Sequence, residues 1–378
     1  MDPDAVQRWF LGNFQERGER GASVALWDAA GERLCLCGGT AGTDSPEPWQ
    51  PDTPVLVWSA TKGPAVAACL HAWEQAGWSW DTPVAAVWPG FASAGKERVL
   101  FRHVLQHQAG LPALEKPVPV EDRAAVLAAL EATSPAWEPG TGHGYHPRTF
   151  GFLLDELVRR VAGGESLAAY WRRVFAEPLA LDFWIGVPPE VLPRVAAMGA
   201  SRKTLPKGDP FLNAYFTPGS LTSRAFASPR GLHAAAAMNA DAPRQAEYPG
   251  FGGIGTARAL AHFYAMLAAG GVWQGRRFFA PGWLDRVLST RVSGPDRVLC
   301  MDTAFSLGFM RDPVGPEGRK LRETFGPGMR AFGHPGAGGA VGFADPDRGW
   351  GFAYVTCQME PGVLPDERAQ GLVRALWR

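Results

Sequence analysis

In the stretch 57–63, VWSATKG, a serine and a lysine stand three residues apart, at Ser59 and Lys62. On a helix, positions i and i+3 share a face, so the two side chains would meet. A serine hydroxyl is a weak nucleophile until a base takes its proton. An ammonium with an ordinary pKa of about 10.4 cannot take it at neutral pH. Burial in an apolar site or beside a second cation brings such a group down to about 7–8. A helix N-terminus pushes in the same direction. A shift of roughly three units is worth about 4 kcal/mol. The pair therefore reads as an acyl-transfer nucleophile with its base. Ser-x-x-Lys also arises by chance in chains of this length, so companions must decide.

Two companions stand later in the chain. WEPGTGHGYHPRTFG, residues 137–151, carries Tyr145 in a turn-rich loop ahead of a strongly periodic helix. A phenol near an unprotonated amine can hold or pass a proton; the plain alternative is a loop aromatic covering the core. FGHPGAGGAVGFADP, residues 332–346, runs a strand with His334 into a glycine cluster. Glycines let a ligand approach the backbone, and free strand N–H groups can hold a developing oxyanion. The alternative there is a glycine turn with a surface histidine.

Other chemistries find less support. No Gly-x-Ser-x-Gly elbow occurs, since Ser220 in TPGSLTS lacks the second glycine. No phosphate-loop pattern is present. His103 and His107 are four apart, but no glutamate follows His103 and no third ligand is near in sequence, so no metal is expected. No cofactor is implied. Asp345-Pro346-Asp347 reads as a turn.

The elements that must position these residues are legible by period. Val66, Ala67, Cys69, Leu70 and Trp73 recur at helical spacing after Pro64, predicting a helix from about Pro64 to Gln75 with Gly77 as its stop. Phe150, Leu153, Leu154, Leu157, Val158 and Val161 give the clearest helix, ended by Gly163-Gly164. Shorter helices are expected near 101–110, 121–132 and 256–269, and a small hairpin in GVWQGRRFF. The N-terminus reads as an amphipathic helix with Val6, Trp9, Phe10 and Phe14 inward. Residues 22–39 read as two strands, three more short strands follow between 329 and 359, and a helix closes the chain. A Pro-rich loop, GTDSPEPWQPDTPVLV, leads into Ser59. Strands at both ends with helices between imply an α+β fold. An antiparallel sheet from residues 1–80 and 245–378 would enclose a mainly helical lobe at 81–244, with the site at their seam.

The 378 residues suffice for one large domain or two coupled lobes. Lys plus Arg and Asp plus Glu are both 37, so neither nucleic acid nor an anionic membrane is an expected partner. The N-terminus lacks a basic region followed by an apolar run, and no segment is long enough to span a bilayer. Five scattered cysteines read as reduced core thiols of a cytoplasmic protein. Oligomeric state is not legible.

Taken in order, Ser-x-x-Lys, Tyr after EPGT and His-x-Gly on a late strand resemble the serine β-lactamase and penicillin-binding-protein superfamily. Within it the chain looks most like the family VIII carboxylesterases and class C β-lactamase-like serine hydrolases. VWSATKG, HVLQHQAGLP, WEPGTGHGYH and FGHPGAGG…GFADP fall in the family's order, so the resemblance covers most of the chain. It implies that Ser59 is acylated, that Lys62 takes or relays its proton, and that Tyr145 is the second acid–base group. His334 falls where penicillin-recognising members carry the lysine of Lys-Thr-Gly. Gly336 and Ala337 follow on the substrate side, with the Ala337 N–H joining that of Ser59 as an oxyanion hole. Two departures bear on substrate. Class C enzymes have Tyr-x-Asn, but here Pro147 replaces the asparagine and its amide. His334 in place of lysine weakens a fixed charge for a substrate carboxylate. Both favour a small neutral ester over a penicillin. The alternatives are β-lactamase, D-amino-acid peptidase or acyltransferase activity, or a silent penicillin-binding-like sensor. Trp58, Trp137 and Phe332 flank the motifs and would form either an apolar wall or core.

Overall fold

Both ends of the chain enter one sheet. The computed structural model describes residues 2–42 and 45–377; Met1, Thr43, Asp44 and Arg378 lie outside the described residues, so the N-terminal helix, the Pro-rich loop and the C-terminal helix are each read without them. The strands are β1 (Gly21–Asp28), β2 (Gly31–Gly39), β3 (Arg291–Pro295), β4 (Asp302–Ser306), β5 (Phe309–Arg311), β6 (Phe332–Pro335), β7 (Val341–Asp345) and β8 (Trp350–Thr356). Their order is β2-β1-β8-β7-β6-β5-β4-β3. Every neighbour is antiparallel. The two termini meet where β1 lies on β8, with Ala22 opposite Thr356 and Trp27 opposite Gly351.

Strand side chains alternate between faces. Val24, Leu26, Phe352 and Tyr354 pack on one side, under α1 (Pro3–Glu16) and α5 (Glu367–Leu376). Ala25, Ala353 and Val355 pack on the other, against α4 (Ala257–Ala268). That second core continues into α2 (Lys62–Gln75) and α3 (Thr149–Val161). The fold is thus α+β, with a large antiparallel sheet between helical layers. A separate three-stranded sheet joins residues 55–56, 253–255 and 183–185. It ties the segment before Ser59 to the inserted helical stretch.

Three differences from the sequence reading have physical causes. Strands β3 to β5 give no usable apolar alternation: β3 has no buried position, β4 is buried at four consecutive positions and β5 at all three. Helix α2 starts at Lys62, ahead of Pro64, because proline is tolerated in a first turn where its missing N–H has no partner to lose. On α1, Val6 and Phe10 are buried, but Trp9 and Phe14 are only half-buried. All five cysteines are free. The expectation of five core thiols fails at Cys300, which is exposed in a turn, and is only partly met at the half-buried Cys35 and Cys37. No helix among the described residues is long and apolar enough to cross a membrane.

Candidate active site

The nucleophile candidate sits on a single 3-10 turn, Trp58–Thr61, that feeds directly into α2. Trp58 has φ of 48°, a left-handed conformation that is strained for a bulky residue. Surrounding bonds hold it. Val57 N–H donates to Gly253 O at 2.9 Å, Gly253 N–H donates to Thr61 Oγ1 at 2.8 Å, and Thr61 Oγ1 donates to Trp58 O. Ser59 emerges from this turn half-buried at a cavity of about 260 Å³.

Lys62 is fully buried. Its Nζ lies 3.2 Å from Ser59 Oγ, 2.9 Å from Pro147 O and 2.6 Å from Gly250 O. Burial, and then the Arg148 charge, hold its pKa well below the ordinary lysine value. A neutral amine has two N–H groups and one lone pair. The two carbonyls take the N–H groups, which leaves the lone pair for the Ser59 hydroxyl. The loop carrying Gly250 can come this close because α3 presents Gly151 to it. A Cβ on Gly151 would lie 2.3 Å from Gly250 N.

Tyr145 is buried, with its ring centroid 4.9 Å from Lys62 Nζ. Its N–H donates to the buried Asp296 carboxylate at 3.0 and 3.2 Å. Asp296 also accepts from the N–H groups of Val298 and Leu299 and from Thr303 Oγ1, so this one carboxylate fixes the loop behind the phenol. The Tyr145 hydroxyl has no hydrogen-bond partner among the described residues. Burial raises its pKa; Ser59, close by, opposes that without overturning it. The phenol therefore keeps its proton in the resting protein.

The residues expected on the substrate side divide. His334 is 1% exposed and does not line the cavity. Its Nδ1 donates to Pro335 O at 2.7 Å, its Nε2 has no partner among the described residues, and its ring lies 5.8 Å from that of Tyr145. Burial, with Lys62 adding to it, pushes its pKa down to about 3, so it is a neutral wall behind the phenol. Gly336 is also turned inward, its N–H donating to Ala340 O at 2.6 Å. A Cβ there would sit 2.1 Å from Val57 O, so glycine lets the end of β6 press on the segment carrying Ser59. Ala337 does line the cavity with Ser59. Neither its N–H nor that of Ser59 donates to a protein acceptor among the described residues.

Trp58 lines the cavity, whereas Trp137 and Phe332 are buried away from it. The apolar wall comes instead from two short helices, Pro210–Phe216 and Leu221–Ala227, and from Met359 to Val363. Phe211, Tyr215, Phe216, Phe226 and Phe251 are its aromatic members. Arg148 also borders the cavity. Its guanidinium donates to Pro229 O, Gly231 O and Leu232 O and stacks 4.7 Å over Phe251. Burial lowers its pKa only to about 10, so it stays charged.

Gly250, Arg148 and Asp296 went unread in the sequence, and His107 was weighed there only as a metal ligand paired with His103. His103 and His107 are not a helical pair: the helix ends at Leu105, and His107 has φ of 56°. His107 Nδ1 accepts from His146 N–H, and its ring packs 5.0 Å from Tyr145. YPGFGGIG at 248–255, a glycine cluster, is a signal that could have pointed to the close backbone approach at Gly250.

Comparison with known proteins gives the family and the fold. A sequence model of the family described as Beta-lactamase matches residues 6–375. The esterase/beta-lactamase LipL of Mycobacterium tuberculosis is 33% identical over 374 residues, 96% of this chain and 82% of that protein. The crystal structure of a family VIII carboxylesterase superposes with a TM-score of 0.87 at 32% identity, covering 99% of this chain and 96% of the other. A penicillin-binding protein homolog from Caulobacter crescentus gives 0.86 at 34% identity, over 99% and 96%.

Proposed function

The chain belongs to the beta-lactamase family and is a serine hydrolase of that fold, and we propose that it hydrolyses small neutral carboxylic esters through an acyl-Ser59 intermediate. The observation that carries this reading is the Lys62 amine, held by two carbonyls with its remaining valence toward Ser59 Oγ.

Lys62 takes the Ser59 proton as Oγ attacks the ester carbonyl. The carbonyl oxygen gathers charge between the Ser59 and Ala337 N–H groups. Such preorganised donors supply much of the rate in acyl transfer. The C–O bond of the leaving alcohol breaks as Tyr145, which holds its proton, gives it to the departing oxygen. The Lys62 ammonium restores that proton to the phenol. Water then attacks the acyl-Ser59 ester by the reverse proton path, releasing the acid and free serine.

Three features favour an ester over a β-lactam. Pro147 supplies no side-chain amide, and its carbonyl is occupied by Lys62. His334 is neutral and withdrawn from the cavity. The cavity wall is mainly apolar and aromatic, and the Arg148 guanidinium is turned to three backbone carbonyls. Five free thiols fit a reducing, cytoplasmic setting.

The test is a fluorophosphonate probe with the wild type and Ser59→Ala. Labelling and a p-nitrophenol burst from a short acyl ester are expected in the wild type and absent in the variant. Labelling that persists in Ser59→Ala removes the assignment. Nitrocefin run in parallel separates the activities, and turnover matching that of the ester would replace esterase by β-lactamase.

A further inference from the structure

Behind the glycine turn that carries Ala337 lies a second buried cation, Arg368, at the first turn of α5 and 1% exposed. An arginine has five N–H donors in a fixed fork. Here all five are matched. Nε donates to Asp366 Oδ2 at 2.9 Å. Nη1 donates to Glu19 Oε2 at 3.0 Å and to Thr356 Oγ1 at 3.5 Å. Nη2 donates to Gly338 O at 3.0 Å and to Gln358 O at 2.9 Å. Glu19 comes from the segment after α1, Thr356 ends β8, and Gly338 belongs to the turn between β6 and β7.

That turn has little rigidity of its own. Gly338 and Gly339, with φ of 86° and 122°, follow directly on Ala337. Glycine pairs of this kind are conformationally permissive. Inside the turn, Gly336 N–H donates to Ala340 O and Gly339 N–H to Gly336 O, the latter at 3.3 Å. Among the described residues, the outside tethers both end on the Gly338 carbonyl: Arg368 Nη2, and Glu360 N–H at 3.2 Å. Buried ion clusters of this type are weak stabilisers compared with apolar packing. Their value lies in fixing one arrangement, and the arrangement fixed here is the residue beside Ala337.

We propose that Arg368 is a positioning residue for the oxyanion hole: by holding Gly338 O against Glu19 and α5, it aims the Ala337 N–H at the acyl oxygen. The proposal rests on the acyl-Ser59 reading and on Ala337 as an oxyanion donor.

The experiment compares p-nitrophenyl acetate with its thionoester, in which sulfur replaces the carbonyl oxygen and the leaving group is unchanged. A hole built for oxygen gives the wild type a large ester-to-thionoester rate ratio. Arg368→Lys keeps the charge and loses the fork. Deleting an oxyanion donor costs about 100- to 1000-fold in kcat, so misaiming one is expected to lower ester kcat by about 10- to 100-fold. KM is expected to stay within about twofold. The thionoester rate falls less, and the ratio shrinks. Equal losses on both substrates, or an unchanged ester kcat, overturn the proposal and leave Arg368 a structural residue. Glu19→Gln, which removes one anchor and keeps the guanidinium, is expected to shrink the ratio more mildly. It decides the matter alone if Arg368→Lys does not fold, and an unchanged ratio then overturns the proposal. A wild-type ratio near one is visible without any variant. It removes the oxyanion reading itself, and this proposal with it, while fluorophosphonate labelling of Ser59 still reports on the nucleophile.

Discussion

Two fully buried basic side chains, Lys62 and Arg368, are in opposite states. Lys62, at the mouth of α2, has carbonyls and a hydroxyl for neighbours, and its nearest charged influence is the Arg148 cation. Arg368, at the start of α5, has Glu19 and Asp366. Burial works against charge in both. For Arg368, Tyr354, Glu19 and Asp366 more than offset it and raise the pKa further. For Lys62 nothing offsets it. Carbonyls can hold an amine in place without obliging it to stay charged, whereas carboxylates fix the charge. The acceptors thus reinforce the chemistry of each group: the amine is left free to lose its charge, and the guanidinium is held charged.

The sharpest way to break this comparison is to give the Lys62 position the chemistry of Arg368. A guanidinium cannot be deprotonated in a protein. Lys62→Arg is therefore expected to lower kcat/KM on p-nitrophenyl acetate by about 100- to 10,000-fold, the range of a lost general base. Length and N–H donors are broadly kept, while the lone pair is lost and a fixed charge stands in its place, so the loss reports on the need for an uncharged amine. Activity within a few-fold of wild type would mean that Lys62 acts as a fixed cation, and the contrast with Arg368 would vanish.

How much of this was legible follows from the same distinction. Ser59, Lys62 and Tyr145 could be read because side chains at helical or loop positions carry their chemistry in their identity. The period of α3 was equally open, because burial on one face leaves a helical repeat; β1, β7 and β8 are buried on both faces and were legible instead as short apolar runs bounded by glycine or Asp-Pro turns. The acceptors that set the state of Lys62 are the carbonyls of Pro147 and Gly250, and every residue has a carbonyl. Nothing in the letter at 250 says that its oxygen faces an amine nearly 190 positions away. Arg368 was unreadable for a related reason. Its partners Glu19, Thr356 and Gly338 are brought together only when β1 docks on β8. His334 shows the limit of inference by position. The sequence placed it on the strand ahead of the glycine turn, but burial withdraws it from the cavity and holds it neutral.

A second variant sharpens the comparison without touching the base. Arg148 adds to the depression of the Lys62 pKa, behind burial as the larger cause. In Arg148→Gln the ammonium form of Lys62 is less disfavoured, so its pKa rises. The acid limb of the kcat/KM profile is expected to move to higher pH, and activity near neutrality falls several-fold while the plateau at alkaline pH is approached again. A profile lowered by one factor at every pH would show that Arg148 matters only for shaping the cavity.

The smallest expected effect separates the two cations by stability alone. In the unfolded chain Lys62 has an ordinary pKa near 10.4 and is protonated at neutral pH. In the folded protein its pKa is depressed, so above that lowered value it carries no proton. Unfolding in that window takes up a proton. Stability therefore rises with pH from the depressed folded pKa up to about 10.4, by at most about 1.4 kcal/mol per pH unit for this one group. Below the folded pKa both states are protonated and the slope disappears. Lys62→Met removes the group, so the unfolding free energy of wild type relative to Lys62→Met should climb between about pH 7 and pH 9 in urea titrations. Arg368 holds its proton folded and unfolded, so the same subtraction with Arg368→Met yields no slope from the guanidinium in that range. A flat difference for Lys62 would mean that the folded protein keeps the ammonium, and the amine could not then serve as the base for Ser59.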